Sequence, residues 1–516
     1  MHSRLLGIVC VLLAHGFAGA ATPLRLQVPD PTQFRVTVFA SGLNYPKGMA
    51  RLSDGSLLVA TSDPNPGSKG FYSSKGALVR LVDADSDGVA DGPPQALASG
   101  FPGSLSGLRV QGKWALVCSV GNRISVFRLG ATPDTALELV GSLRFELPSP
   151  WLHPPSDLEV VPLDTAVGSF QLYFQLGSQS NIAPTSETAG ITGFGLTSAP
   201  LLGDSIYRIE LREEANALVA AGPERIAMGL RNSAGFAWEA VTGDLYFQDN
   251  GIDGLSNPNE PHSTDELNVI REGALGGATV EDFGFPSTYV AYRTGKLVGN
   301  AGIQPLVVFQ PKPDPLTGSE SEGPAEIALA PSEFPGGLNY GIFVGFHGKF
   351  SLGGIANEEN PLLYVDLETF ETQTIVGNDE PGVGHLDGLL ATEDSLFVAD
   401  LCSSGSVSTG IGEGVIYQIQ AVPLVAPRFI RGDASSDGTV QVDDAVVILE
   451  HLFREGPASA CLDSEDANDD TQIDISDPVA VLFFLFAAGV LPSPQSCGLD
   501  PTLDDSLPCA STCLVQ

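Results

Sequence analysis

Basic residues are scarce in this 516-residue chain: 25 Lys and Arg stand against 62 Asp and Glu, for a formal charge of −37. Such a surface repels nucleic acid phosphates and anionic lipid heads, which argues against both as partners. Charged residues of both signs together reach only 17%, while Gly (59) and Pro (38) are abundant. That mixture leaves little material for long solvated helices and favours short strands joined by turns. No apolar run is long enough for a transmembrane anchor. The runs from Leu5 to Leu13 and from Val479 to Val490 fall short of the ~20 residues that a spanning helix needs. The acidic surplus reads either as a solubilising shell or as a store of calcium ligands.

The first 20 residues read as an export signal, with Arg4 as the positive start, Leu5 to Leu13 as the apolar core and Ala18-Gly19-Ala20 as the cleavage site. Cleavage near Ala20 removes Cys10 and implies a secreted, extracellular or periplasmic chain. Six cysteines are left: Cys118, Cys402, Cys461, Cys497, Cys509 and Cys513. An even count in an exported chain suggests disulfides, and four crowd the C-terminal end, where a small domain most needs cross-links. The expected pairing is Cys461–Cys497 with Cys509–Cys513, leaving Cys118 and Cys402 as free buried thiols.

From about residue 33 to 422 the chain reads as strands and turns only. A turn followed by a short apolar run recurs six times: DGSLLVAT, GKWALVCSV, SFQLYFQLG, TGDLYFQDN, NYGIFVGFHG and EDSLFVAD. Each copy is flanked by further strand-like runs. Four strands per unit around an axis make a propeller blade, so six units predict a six-bladed all-β propeller. A β-sandwich array or two barrels explain the repeated unit less well.

A Pro-containing linker, 423–430, leads into a different texture at 431–516. Two acidic loops each run into an apolar helix. In the first, Asp433, Ser435, Asp437, the Thr439 carbonyl and Asp444 occupy positions 1, 3, 5, 7 and 12, with Gly438 at the sharp turn. In the second, Asp466, Asn468, Asp470, the Gln472 carbonyl, Asp474 and Asp477 take positions 1, 3, 5, 7, 9 and 12, and Thr471 replaces the glycine. Alternating oxygens in a tight loop suit calcium. The tandem arrangement with Asp at position 12 resembles the type I dockerin module. The resemblance implies either that calcium merely folds the domain or that the domain docks to a cohesin-like or cell-surface partner. The helix at 479–490 is expected to pack on Val446, Ile448, Leu449 and Leu452. A third loop, DADSDGVAD, offers Asp83, Asp85, Asp87, the Val89 carbonyl and Asp91 to another structural calcium.

Three segments carry candidate chemistry: PWLHPPSDLEVV with His153, LGSQSN, and GLRNSAG with Arg231 and Asn232, followed by HSTDELNVIREG. In this order they resemble the quinoprotein glucose/sorbosone dehydrogenase family over residues 33–422. The resemblance implies pyrroloquinoline quinone (PQQ) with calcium as cofactors and a sugar as substrate. It makes His153 the base that takes a hydroxyl proton and lets Arg231 stabilise charge on the quinone oxygen. It lets Asn232 hydrogen-bond the cofactor and has the Glu260 and Pro261 carbonyls hold calcium. Two positions depart from the family pattern. Ser156 stands where relatives carry an arginine, and Gly384-His385-Leu386-Asp387-Gly388 replaces an Arg-Pro segment. PQQ bears three carboxylates and needs cations, a need that Lys349 is a candidate to meet. His347 and His385 are assigned no role. The departures motivate an alternative, a non-catalytic propeller that binds glycans or proteins. A calcium-dependent lactonase is a weaker third reading, because no carboxylate cluster around a channel metal is evident.

Overall fold

The computed structural model describes residues 21–119, 122–164, 168–215, 217–255, 260–276, 279–311, 316, 323–348, 359, 361–422, 428–454, 456–501, 507–509 and 512–513. The chain divides into two compact units, Met1–Val422 and Pro423–Gln516.

The first unit is a six-bladed propeller. Each recurrent turn–strand unit of the sequence becomes the second strand of a blade: Leu57–Pro64, Trp114–Ser119, Ser169–Leu176, Leu245–Asp249, Gly341–Phe346 and Ser395–Asp400. These strands are almost wholly buried, because both faces of a blade pack on its neighbours. That is why they read as continuous apolar runs. In four blades the turn ahead of the strand holds a left-handed residue, and glycine supplies it: Gly55, Gly112, Gly168 and Gly243.

The innermost strands are Met49–Arg51, Leu105–Gln111, Leu158–Asp164, Phe236–Trp238, Pro324–Leu329 and Leu386–Ala391, and they touch one another in a closed cycle. A separate hydrophobic cluster fills each of the six interblade interfaces. The ring closes through the sixth blade, whose outer strand is the N-terminal Phe34–Leu43, paired antiparallel with Gly414–Ala421. Blade two is widened by the hairpin Thr188–Gly193/Leu196–Leu202, which comes from the sequence of blade three.

One cation bridges the inner strands. Arg109 of blade two lies 3.1 Å from Glu159 of blade three and 3.1 Å from Glu326 of blade five. It also donates to the Phe236 carbonyl of blade four at 2.9 Å, and Asp157 is 3.8 Å away. Burial raises the Asp157 and Glu326 pKa values, with Arg109 opposing the rise.

The second unit holds the helices Val442–Arg454, Leu462–Glu465 and Ser476–Ala487. Its core joins Ile448, Val481 and Leu491, with Leu452 alongside. Val446, which is 46% exposed, and Leu449 are not part of it. The disulfides are Cys461–Cys509 and Cys497–Cys513, not the pairing expected from sequence proximity. Cys461 and Cys509 also face each other in an isolated bridge, a contact that sequence spacing does not show. Cys118 and Cys402 are free and buried, as expected. Among the described residues no helix is long and apolar enough to cross a membrane.

Candidate functional site

In an antiparallel blade the start of the first strand and the end of the second lie at the same end. Residues at those two positions therefore converge around the axis. They line a cavity of about 520 Å³. Lys47 comes from the start of blade one, His153 from blade three, Arg231 and Asn232 from blade four, and Asp387 from blade six. Trp151, Asp253, Asp265 and His347 also reach it.

Buried carboxylates hold these corners. Asp249, which ends the second strand of blade four, accepts the Arg231 N–H (2.9 Å) and the Asn232 N–H (2.7 Å). Asp400 does the same in blade six for Gly384 (2.9 Å) and His385 (2.8 Å). Asp265 accepts the N–H groups of Gly251 (2.7 Å) and Gly323 (2.9 Å). Burial raises these pKa values, to about 6 for Asp249 and about 7 for Asp265 and Asp400, while the N–H donors limit the rise.

His153 and Arg231 share the cavity wall through a backbone stitch. His153 N–H donates to the Ser178 carbonyl (3.1 Å), and Ser178 N–H donates to the Arg231 carbonyl (2.8 Å). Gly177 must be glycine here, since a Cβ would sit 2.6 Å from the Arg231 carbonyl and 2.7 Å from the His153 Cβ. The Ser178 hydroxyl donates to the Ser180 carbonyl at 2.7 Å. It therefore accepts from His153 Nδ1, 2.8 Å away, and the unprotonated nitrogen is Nε2. Burial, then the nearby Arg231 charge, lowers the His153 pKa to about 3, so the ring is neutral.

Arg231 is engaged with protein. It donates to the Asp253 carboxylate (2.6 Å), to the Asn181 Oδ1 (2.8 Å) and to the Asn181 carbonyl (3.1 Å). Asn232 Nδ2 donates to Asn250 Oδ1 at 2.9 Å. Lys47 lies 3.7 Å from Asp387, whose carboxylate also bonds His347 Nδ1 at 2.9 Å. Burial would push Asp387 up, but His347 and Lys47 outweigh it and hold the carboxyl well below the usual range. His385 lies beneath, its ring stacked 4.0 Å from that of His347. Of the two residues whose carbonyls the resemblance assigns to calcium, Pro261 lines the cavity and Glu260 is not part of its lining. Lys349 lies outside the described residues.

His153, Arg231 and Asn232, singled out in the sequence, line this one cavity together with Lys47, Asp253, Asp265 and Asp387, to which the sequence reading assigned no role. An available signal was the acidic residue closing two of the repeats, in LYFQD and LFVAD. It marks Asp249 and Asp400, and hence the corners at Arg231 and His385.

Three acidic loops share one backbone form. Positions 4 and 6 are left-handed in each: Ser86 and Gly88, Ser436 and Gly438, Asp469 and Thr471. In each, the position-6 N–H donates to the position-1 carboxylate, at 2.9, 2.9 and 2.8 Å. Candidate ligand atoms of Asp83, Asp85 and Asp91 lie within 4.8 Å of one another. Thr471 is the strained exception, a β-branched residue at φ 69°. Replacing it by glycine is expected to stabilise the second unit by about 1 kcal/mol, read from its denaturation midpoint.

Fold and site define a six-bladed propeller with an axial cavity. No family profile matches the sequence. An uncharacterized protein of Borreliella burgdorferi is 32% identical over 152 residues, 28% of this chain. The match spans 36% of that relative's length. Among solved structures, the holo PQQ domain of a pyranose dehydrogenase from Coprinopsis cinerea is 15% identical, with a TM-score of 0.49 over 77% of this chain and 97% of that one. A putative glucose dehydrogenase from Thermus thermophilus is 18% identical (TM-score 0.44, 75% and 99% covered). A soluble aldose sugar dehydrogenase from Escherichia coli is 15% identical (TM-score 0.46, 75% and 100% covered).

Proposed function

We propose that the axial cavity binds a carbohydrate and that His153 accepts a hydrogen bond from one of its hydroxyls. One observation carries this reading: Ser178 fixes the tautomer of a neutral imidazole on the cavity wall, which leaves Nε2 as a hydrogen-bond acceptor. Trp151 supports it. Its Nε1–H is satisfied by the Gly177 carbonyl at 3.2 Å, which holds the indole as a rigid wall for the apolar face of a sugar ring.

Oxidation with PQQ and calcium is the second reading, favoured because His153 and Arg231 share one cavity, as the sequence resemblance implies. The described residues do not fit the cofactor. A tricarboxylate needs free cations, yet Arg231 is paired with Asp253 and Lys47 sits beside Asp387.

Calorimetry against a sugar panel, with dye reduction in the presence and absence of PQQ and calcium, tests both. At least one sugar is expected to bind, and Trp151→Ala to weaken it about tenfold. His153→Gln is expected to leave binding intact and, if the oxidation reading holds, to lower dye reduction by roughly 10²- to 10⁴-fold. A panel without any ligand overturns the carbohydrate reading; saturable PQQ binding followed by absorbance establishes the second.

We further propose calcium in the three loops, at Asp83, Asp85, Asp87 and Asp91, and at the two sets beginning with Asp433 and Asp466. Attachment of an exported chain to a cohesin-like or cell-surface partner is proposed for the second unit. In its support, Val446 and Phe453 on the first helix and Val479 and Phe486 at matching places on the second are all exposed.

A further inference from the structure

The charge of the cavity narrows the class of sugar. Two cationic side chains line it among the described residues, and each already has a carboxylate. Arg231 lies 2.6 Å from Asp253, and Lys47 lies 3.7 Å from Asp387. Arg231 is 2% exposed and spends further N–H groups on Asn181 and Asn250, so it has little left for an anion. Asp253 differs from its partner: its side chain is 63% exposed, and it lines the cavity. One face of this carboxylate holds Arg231, and the other is open to a ligand. Asp265 adds a third carboxyl to the wall without a cation of its own. Its pKa of about 7 lets it ionise further when a positive group binds nearby. The field of the whole chain, at −37, acts in the same direction.

We propose that the cavity takes a cationic sugar, one bearing a free protonated amine that the open face of Asp253 receives beside the Trp151 wall. This rests on the carbohydrate reading above and goes beyond it. An amine is a compact donor with three N–H groups, which suits an exposed carboxylate that holds a guanidinium on one side only. A uronic acid would meet Asp253 and Asp265 with like charge, and a neutral sugar would lose the charge-assisted bond.

Calorimetry with the full chain at low salt tests this, using three tetrasaccharides of the same linkage: glucosamine, glucose and glucuronate. The glucosamine tetramer is expected to bind at least about tenfold more tightly than the glucose tetramer, a ratio that shrinks as salt is raised. The glucuronate tetramer is expected not to bind. Tetralysine, equally cationic, is expected not to compete, which separates a site for an amino sugar from attraction to an acidic surface.

Asp253→Asn provides the second arm. Its position is exposed, so the fold should hold, as circular dichroism will show. Removing this carboxylate is expected to cut the preference for glucosamine below about threefold and to bring glucuronate into measurable binding, because Arg231 loses its counter-charge. Equal affinity for the neutral and amino tetramers, tighter binding of the uronate, or displacement by tetralysine overturns the cationic assignment while leaving the carbohydrate reading in place. If none of the three binds but another sugar of the panel does, the outcome is the same. Absence of binding to every sugar removes both.

Discussion

Chelating calcium is expected to unfold the C-terminal unit while the propeller keeps its sheet signal. Asp433, Asp444, Asp466 and Asp477 are each at most 1% exposed. The only Lys or Arg residues after residue 422 are Arg428, Arg431 and Arg454. Arg431 is already committed to Asp469 at 3.0 Å and Asp500 at 2.7 Å. Four buried carboxylates without cations cannot be sustained by so small a core, and ion binding becomes folding free energy. A site saturated about 1,000-fold above its Kd contributes about 4 kcal/mol, comparable to the whole stability of a domain this size. The loss should be uneven. The Cys461–Cys509 disulfide encloses the second loop, whereas the first loop and helix Val442–Arg454 lie outside both cross-links. EGTA titration followed at 222 nm, with Asp444→Ala as a single-site comparison, checks it. Unchanged helicity in EGTA would remove calcium from the account.

Arg109→Met should produce the largest loss in the propeller, about 3–5 kcal/mol, because it leaves three carboxylates facing one another near the axis. The sign with pH follows from burial. Asp157 and Glu326 already have pKa values raised above those of the unfolded chain, and removing Arg109 raises them further. A buried acid of this kind binds its proton more tightly when folded, so stability falls as pH rises through the interval between the two values. The deficit of Arg109→Met is therefore expected to be smaller at pH 5 than at pH 8, measured by urea denaturation. Adding Glu326→Gln should recover part of it. A pH-independent deficit below about 1 kcal/mol would mean that Arg109 is incidental to the assembly.

Blade number was legible because one strand of each blade is buried on both faces. The runs LYF of Leu245–Phe247 and LFVA of Leu396–Ala399 have no solvent side, so their apolar character is unbroken. Outer strands such as Glu138–Glu146 mix buried and exposed residues and give a weaker pattern. The exchange of the hairpin at 188–202 into blade two was not legible at all, since pairing with Arg144–Glu146 is a matter of space and leaves no periodic mark. His153 and Arg231 stood out by residue type within ordered motifs. Asp253 did not, because an exposed acid in a loop is ordinary in a chain this acidic, and its meaning comes from the guanidinium it touches.

The pairing of Phe34 with Ala421 joins residues nearly four hundred positions apart. Closing the ring therefore carries a larger loop-closure cost than pairing neighbouring strands within any one blade.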